Sequence, residues 1–247
     1  MLRIKDLMVF YENMVAINNV SMKCEEGQIV GVFGANSAGK STLCYAISGI
    51  ILDIMKKEEM AGGERISVIG HIEYKGSDIT KEKPSRRSKN GIILCPERRR
   101  IFPESSVLEN LRIGGYLASS SQAKATLQYV FEAFPPLEKL RKREGGFLSG
   151  GEQQMLAVAR GVMAEPEVLM FDELSLGLAP VLVLQLFETL QQLKASGLTM
   201  LLVEQNVHMA LSISDDAYVL TEGAITLSGT AAEVAGHEGV RESYLGV

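Results

Sequence analysis

The stretch Gly34-Ala35-Asn36-Ser37-Ala38-Gly39-Lys40-Ser41-Thr42 carries the strongest chemical signal in this chain. A glycine, four residues, then Gly-Lys-Ser is the spacing of a loop that cradles phosphates. Each residue type has a task there. Glycine lets the backbone curl until several N–H groups converge on phosphate oxygens. A helix starting at the loop's end adds a partial positive charge. Lys40 is a point charge within reach of β- and γ-phosphates, and the Ser41 hydroxyl is a hard oxygen ligand suited to Mg²⁺. A plain Gly-rich turn between strand and helix is the competing reading. The apolar run 28–33 before the loop and the helical run 43–47 after it favour the nucleotide.

Two more stretches place reactive groups where such a loop would need them. Residues 168–173, Val-Leu-Met-Phe-Asp-Glu, read as a buried strand ending in Asp172 and Glu173. Open α/β sheets bind ligands at the carboxyl ends of their strands. Adjacent carboxylates there point different ways, one towards Mg²⁺ and one towards a water beside the γ-phosphate. Alone they would read equally well as two solvated acids. Leu148-Ser149-Gly150-Gly151-Glu152-Gln153-Gln154 opens a helix, because Ser149 with Glu152 three residues on makes a capping box. Its glycine pair weakens a helix. The pair makes sense if another group must come close to bare N–H groups, which form an anion site.

The positioning elements follow from pattern. Residues 2–10 and 15–24 read as strands with Tyr11-Glu12-Asn13 as their turn. Tyr11 is either a turn aromatic or a platform for a nucleobase. A helix is expected over 41–54, a polar loop or short helical excursion over 56–63, and a strand over 66–74. The basic run 81–90 reads as a solvated helix or loop. Residues 91–95 form another buried strand, and 102–143 change to helical pattern with a Pro135-Pro136 break. Later come a helix over 181–195, a strand over 198–203 ending in Glu204-Gln205-Asn206, and a hairpin at 217–227. A terminal helix with Tyr244-Leu245 closes the chain.

Composition bounds the answer. With 247 residues, 46% hydrophobic and 22% charged, the chain is long enough for one α/β domain with a large core. A net charge of −5 argues against a general nucleic-acid binder. Cys24, Cys44 and Cys95 have no C-x-x-C partner and read as core residues in a reducing compartment. His71, His208 and His237 lack metal-ligand spacing. The charged start does not look like a signal peptide, and no run approaches membrane-spanning length. The expectation is a soluble, cytoplasmic protein that serves a membrane, if at all, from a partner's surface.

Taken together, the loop at 34–42, Leu-Ser-Gly-Gly-Glu-Gln at 148–153 and Phe-Asp-Glu at 171–173 resemble the ATP-binding subunit of ABC transporters across essentially the whole chain. Cys-Pro-Glu-Arg-Arg-Arg-Ile-Phe-Pro at 95–103 is similar to ATPases of branched-chain amino acid uptake. So are Ser-Leu-Gly-Leu-Ala-Pro at 175–180, Val-Glu-Gln-Asn at 203–206 and the ending Tyr-Leu-Gly at 244–246. Urea and amide importers carry similar marks.

The resemblance implies an α/β P-loop NTPase core with a mixed sheet, an antiparallel β subdomain and a helical subdomain. Residues 1–96 and 149–247 would form the core with its β subdomain, and 97–148 the helical subdomain. ATP and Mg²⁺ are the implied ligands. Tyr11 would stack on adenine, and Gly34 to Thr42 would hold phosphates, with Lys40 also catalytic. Ser41, Asp172 and Glu97 would attend Mg²⁺. Glu173 would be the general base, and Gln205 would stand where most relatives carry a switch histidine. Glutamine cannot shuttle a proton, so Gln205 would only position the γ-phosphate. Ser149, Gly150, Gly151 and Glu152 would meet the γ-phosphate held by a second, identical or sister, ATP-binding subunit. Integral-membrane permease subunits and, indirectly, a periplasmic solute-binding protein are the implied partners, with the chain on the inner membrane face. Ser37 replaces the usual glycine, Leu174 the usual proline, and 51–70 is longer than usual. A soluble ABC-type ATPase and a nucleotide-binding regulator without turnover are the competing functions; intact Lys40, Asp172 and Glu173 speak against the latter.

Overall fold

The chain alternates two kinds of apolar run, and the computed structural model, which describes residues 1–242, shows what each becomes. β1 (Leu2–Tyr11) and β2 (Met14–Cys24) form a hairpin, and β3 (Ile29–Phe33) leads into the Gly-rich loop. Next come α1 (Lys40–Ser48), α2 (Ile50–Ala61), β4 (Ile66–Tyr74), β5 (Ser77–Asp78), α3 (Pro84–Lys89) and β6 (Ile92–Cys95). A helical stretch holds α4 (Val107–Gly114), α5 (Ser120–Ala133) and α6 (Pro135–Lys139), and then α7 (Gly150–Met163) begins. It is followed by β7 (Val168–Asp172), α8 (Pro180–Ala195), β8 (Thr199–Glu204), α9 (Val207–Ile213), β9 (Asp216–Thr221) and β10 (Ala224–Thr230). α10 (Ala231–Gly236) and α11 (Glu238–Val240) complete the described chain.

Two sheets result. One is antiparallel, in the order β2-β1-β4-β5. The other runs β10-β9-β3-β8-β7-β6, parallel except for β10. This is the α/β fold with a mixed sheet that the sequence predicts. β3, β7 and β8 are buried along their whole length, as continuous apolar runs in a parallel sheet should be. Side chains alternate across the sheet. Phe33, Leu169, Phe171, Met200 and Leu202 join the core under the helices. Val30, Val32, Val168, Met170, Leu201 and Val203 join a second core shared with α1 and the antiparallel sheet. At about 2 kcal/mol per fully buried side chain, these central strands outweigh the exposed ion pairs by far. Because β3, β6, β7 and β8 are parallel, their carboxyl ends share one edge. That edge carries the Gly-rich loop, Glu97, Glu173 and Gln205.

Several local expectations need correction. The helix expected over 41–54 breaks at Gly49 (φ 81°); of the two readings for 56–63 the helical one holds, since α2 runs to Ala61 and ends at Gly62. Tyr11 lies in β1 rather than in the turn, paired with Met14 and Ile66. The basic run at 81–90 does contain a short helix, but Arg87 is 1% exposed and not solvated. Its guanidinium donates to Ala46 O (2.6 Å), Ile47 O (2.8 Å), Thr80 O (2.8 Å) and Glu82 O (2.9 Å). A cation thus closes the carbonyl end of α1. A Cβ at Gly49 would sit 2.9 Å from Arg87 Nε, so the break residue must be small as well as left-handed. Burial pulls the Arg87 pKa down to about 10, with Glu82 and Asp78 holding it up, so it stays charged. The expected Tyr244-Leu245 helix lies outside the described residues.

Arg87→Met should lower unfolding stability by about 3 kcal/mol, since it orphans buried carbonyls. A urea melt reads this as a lower midpoint at unchanged slope; a loss below about 1 kcal/mol would contradict the capping role.

Candidate functional site

The loop after β3 is built by close approach. A Cβ at Gly34 would lie 2.3 Å from Leu220 O. Gly39 has φ 99° and lies under Ala16 O, again 2.3 Å from where a Cβ would be, so both space and backbone require glycine. Gly223 N donates to Ala38 O (3.1 Å), tying the loop to the β9–β10 turn. Ala35, Asn36 and Ser37 face outward. Ser37 adopts φ 65°, a conformation that costs a non-glycine residue about 1 kcal/mol. The substitution at this position therefore strains the loop where glycine would not. α1, which includes Thr42, has no side-chain cap and no acid in its first turn, whereas α4, α5, α7 and α10 all carry capping boxes. The first amides of α1 are left to a ligand.

Lys40 is 4% exposed. Its Nζ donates to Gly34 O and Ala35 O, each at 2.9 Å, and pairs with Glu173 Oε1 at 3.2 Å. Ser41 Oγ donates to Asp172 Oδ1 (3.1 Å), while Asp172 Oδ2 is buried without a partner. Burial pushes the Asp172 pKa above the ordinary carboxylate range; Ser41 and Lys40 oppose this, and the charges of Glu173 and Glu97 add to it. A buried carboxylate with a free oxygen beside a serine hydroxyl fits Mg²⁺. Among the described residues no cluster of three or more His, Cys, Asp or Glu could hold a metal alone. Mg²⁺ takes few protein ligands and completes its shell with phosphate and water.

Glu173 follows β7 with φ 52°, its N–H donating to Val203 O (2.9 Å). Gln205 lies across from it on a cavity of about 330 Å³ that both residues line. Glu97 follows β6 and pairs with Arg98 at 3.3 Å. Arg98, Arg99 and Arg100 have φ of 67°, 62° and 45°, three left-handed residues in succession. Tyr11 is half-buried against the core that holds Leu43 and Ile47 of α1.

The Ser149 turn is exposed and its capping box is formed. Ser149 N donates to Glu152 Oε2 (2.7 Å), and Glu152 N to Ser149 Oγ (3.4 Å). Among the described hydrogen bonds and ion pairs, none joins Ser149, Gly150, Gly151 or Glu152 to Lys40, Ser41, Asp172 or Glu173. The glycine pair has partners of its own. A Cβ at Gly150 would sit 3.1 Å from the Arg99 guanidinium nitrogens, and one at Gly151 would sit 2.5 Å from Leu182 Cδ1.

Residues 17–175 match the family described as ABC transporter. The chain belongs to that family. This cassette is 37% identical to the high-affinity branched-chain amino acid transport ATP-binding protein BraG of Pseudomonas aeruginosa, over the full length of both. The chain is also 35% identical to LivF of Archaeoglobus fulgidus, named a probable branched-chain amino acid transport ATP-binding protein, over 100% of this chain and 99% of that one. The lipopolysaccharide export ATP-binding protein LptB of Escherichia coli is 30% identical, covering 98% and 95%. The ADP conformation of MJ1267, an ATP-binding cassette of an ABC transporter, superposes with TM-score 0.82 at 26% identity, covering 100% and 99%. The cassette thus binds ATP and ADP and is an ATP hydrolase.

Sequence reasoning gave Glu204 no role in this cassette. Glu204 ends β8, is 1% exposed, and accepts from Ser175 N (2.8 Å) and Ser175 Oγ (2.7 Å). Burial raises its pKa, the Ser175 bonds oppose the rise, and the Glu173 charge adds to it. An acid closing an otherwise apolar strand was the available signal.

Asp172→Asn should separate stability from function. The raised pKa means the folded form holds the proton more tightly than the unfolded form. Wild-type stability therefore falls as pH rises from the ordinary carboxylate range through the raised value. The asparagine variant lacks that fall. At about pH 7.5, without Mg²⁺ and nucleotide, its Tm should be roughly 2–4 °C higher, while ATP turnover drops at least about a hundredfold. Melting curves between about pH 4 and 8, beside phosphate-release assays, check both halves.

Proposed function

We propose that this cassette drives uptake of branched-chain amino acids, as one of a pair of ATP-hydrolysing subunits bound to integral-membrane permeases on the inner membrane face. A periplasmic solute-binding protein would deliver cargo to those permeases. The names of BraG and LivF support the cargo, and their identity to this chain exceeds that of LptB. Among the described residues no helix is long and apolar enough to cross a membrane, so permeation falls to the partners. The observation that carries the ATP-hydrolysing part of the reading is the cluster itself: Lys40 Nζ 3.2 Å from Glu173 Oε1, beside Ser41 Oγ 3.1 Å from Asp172 Oδ1.

The chemistry then assigns itself by charge. Lys40 exchanges its loop carbonyls for β- and γ-phosphate oxygens, while the free amides of α1 bind the rest. Ser41 and Asp172 would hold Mg²⁺, attended by Glu97, and the ion would supply charge neutralisation to the phosphates. Glu173 takes a proton from the attacking water as its oxygen bonds to the γ-phosphorus and the bond to the ADP oxygen breaks. Gln205 orients the γ-phosphate side by hydrogen bonding. Tyr11 stacks on the base. Ser149, Gly150, Gly151 and Glu152 of one subunit close over the ATP of the other, supplying electrostatic positioning. Residues 97–148 act as the helical subdomain, on the remaining core of 1–96 and 149–247. A cavity of about 280 Å³ there, lined by Arg100, Phe102, Ile113 and Arg160, offers the permease an apolar and cationic seat.

Glu173→Gln should keep ATP affinity and slow hydrolysis by about 10²–10⁴. Lys40→Ala should abolish turnover and weaken binding; near-normal phosphate release from either variant removes that residue from its role. For cargo, deletion of the chain in its host should abolish leucine, isoleucine and valine uptake and leave lipopolysaccharide export intact. The reverse pattern would favour the LptB-like reading.

A further inference from the structure

β7 and β8 are neighbours in register, Asp172 opposite Val203, and their ladder reaches one step further through Glu173 N and Val203 O. Beyond that step the two backbones part. A parallel ladder would next ask a main-chain carbonyl to accept from Ser175 N. Here the Glu204 side chain accepts instead, one carboxylate oxygen from Ser175 N at 2.8 Å and the other from Ser175 Oγ at 2.7 Å. Glu204 is 1% exposed, so this acid was placed inside the fold at a desolvation cost that a purely apolar strand end would avoid. Its neighbours give the reason. Ser175 is two residues from Glu173, and Gln205 is the next residue after Glu204. Glu173, Ser175, Glu204 and Gln205 all line the same cavity of about 330 Å³. Glu173 holds its carboxylate near Lys40 only through a left-handed backbone (φ 52°), a conformation that persists when its surroundings over-determine it.

We propose that Glu204 is a positioning residue for hydrolysis: by clamping Ser175 it fixes the strained turn at Glu173 and registers that carboxylate against Gln205 across the cavity. Glu204 touches neither substrate nor the reacting water in this assignment. It acts through Ser175, and it rests on the ATPase reading above. Displacing a reacting group by about 1 Å costs about a hundredfold in rate, so a lost clamp should appear in kcat. It should spare nucleotide affinity, because Lys40, Ser41 and the loop amides do not contact Glu204.

The test uses the full chain and compares Glu204→Ala, Glu204→Gln, Ser175→Ala and the double alanine variant. Wild-type turnover and fluorescent-ATP affinity come first, and a wild type that releases no phosphate fails the ATPase reading rather than this one. Glu204→Ala is expected to lower kcat by about tenfold to a hundredfold with KM and ATP Kd within twofold. Glu204→Gln keeps an acceptor for Ser175 N and offers its amide to a hydroxyl that can also accept, so kcat should return to within about threefold of wild type. The double variant should be no slower than Glu204→Ala, since both changes cut one link. Ser175→Ala keeps the measurement open if Glu204→Ala misfolds; it should reduce kcat by several-fold at unchanged Kd. Unchanged kcat in Glu204→Ala, Kd weakening in step with kcat, or multiplying effects in the double variant would each overturn the proposal.

Discussion

A buried ammonium group anchors this structure. Lys40, almost wholly removed from water, finds oxygen on each of its three sides, two loop carbonyls and the Glu173 carboxylate. A lysine stripped of water and left unpaired would lose its charge or unfold its surroundings. Its partners must therefore be held firmly, and much of the fold answers that demand. The carbonyls are fixed by a loop wedged under Leu220 and Ala16, and the carboxylate by a strand end in the middle of the parallel sheet.

That edge of the sheet is unbalanced on purpose. Asp172, Glu173, Glu204 and Glu97 share this edge while only Glu173 pairs with Lys40, and the pKa values of Asp172 and Glu204 are raised first by burial and further by the neighbouring Glu173 charge. A polyphosphate alone would worsen the excess of negative charge. A polyphosphate bound together with a divalent cation would relieve it: Asp172 Oδ2 is buried without a partner and would be free for the ion, and in the proposed function Lys40 and the helix amides would take the phosphates. The same edge stores backbone strain, at Ser37, at Glu173 and across Arg98 to Arg100. Left-handed residues also occur away from this edge, at Asp6, Glu12, Asn19, Lys75, Glu165 and Glu222, so it is the run of three at Arg98 to Arg100 and the one at Glu173, beside Lys40, that tie strain to the site.

What the sequence disclosed and what it hid divide along range of contact. The Gly-rich loop was legible because its chemistry lies within nine consecutive residues, and the strands because burial on both faces leaves unbroken apolar runs. Ser149 and Glu152 were legible because a capping box is local. Arg87 was not, because its acceptors Ala46 and Ile47 lie some forty residues away and nothing in a basic run says which member turns inward. Glu204 escaped because Ser175 is far off in sequence and adjacent only across the sheet. The break at Gly49 was missed for the same reason: the side chain that demands a glycine there comes from position 87.

The two helix starts assigned to the proposed composite site differ in a way that bears on their division of labour. α1 is uncapped, so its amides are free and its loop lysine supplies full charge. α7 is capped, so Ser149 and Glu152 already satisfy one another's N–H groups, and Glu152 places a negative charge beside any incoming anion. Gly150 admits the Arg99 guanidinium against the first turn, where it donates to Gln153 Oε1 (3.2 Å). Within the proposed pair of subunits, α1 would therefore be the strong grip on phosphate and α7 the weaker one. A weak second grip suits a clamp that must reopen, since contacts that bound as tightly as α1 would hold the product side closed after the γ-phosphate is cut.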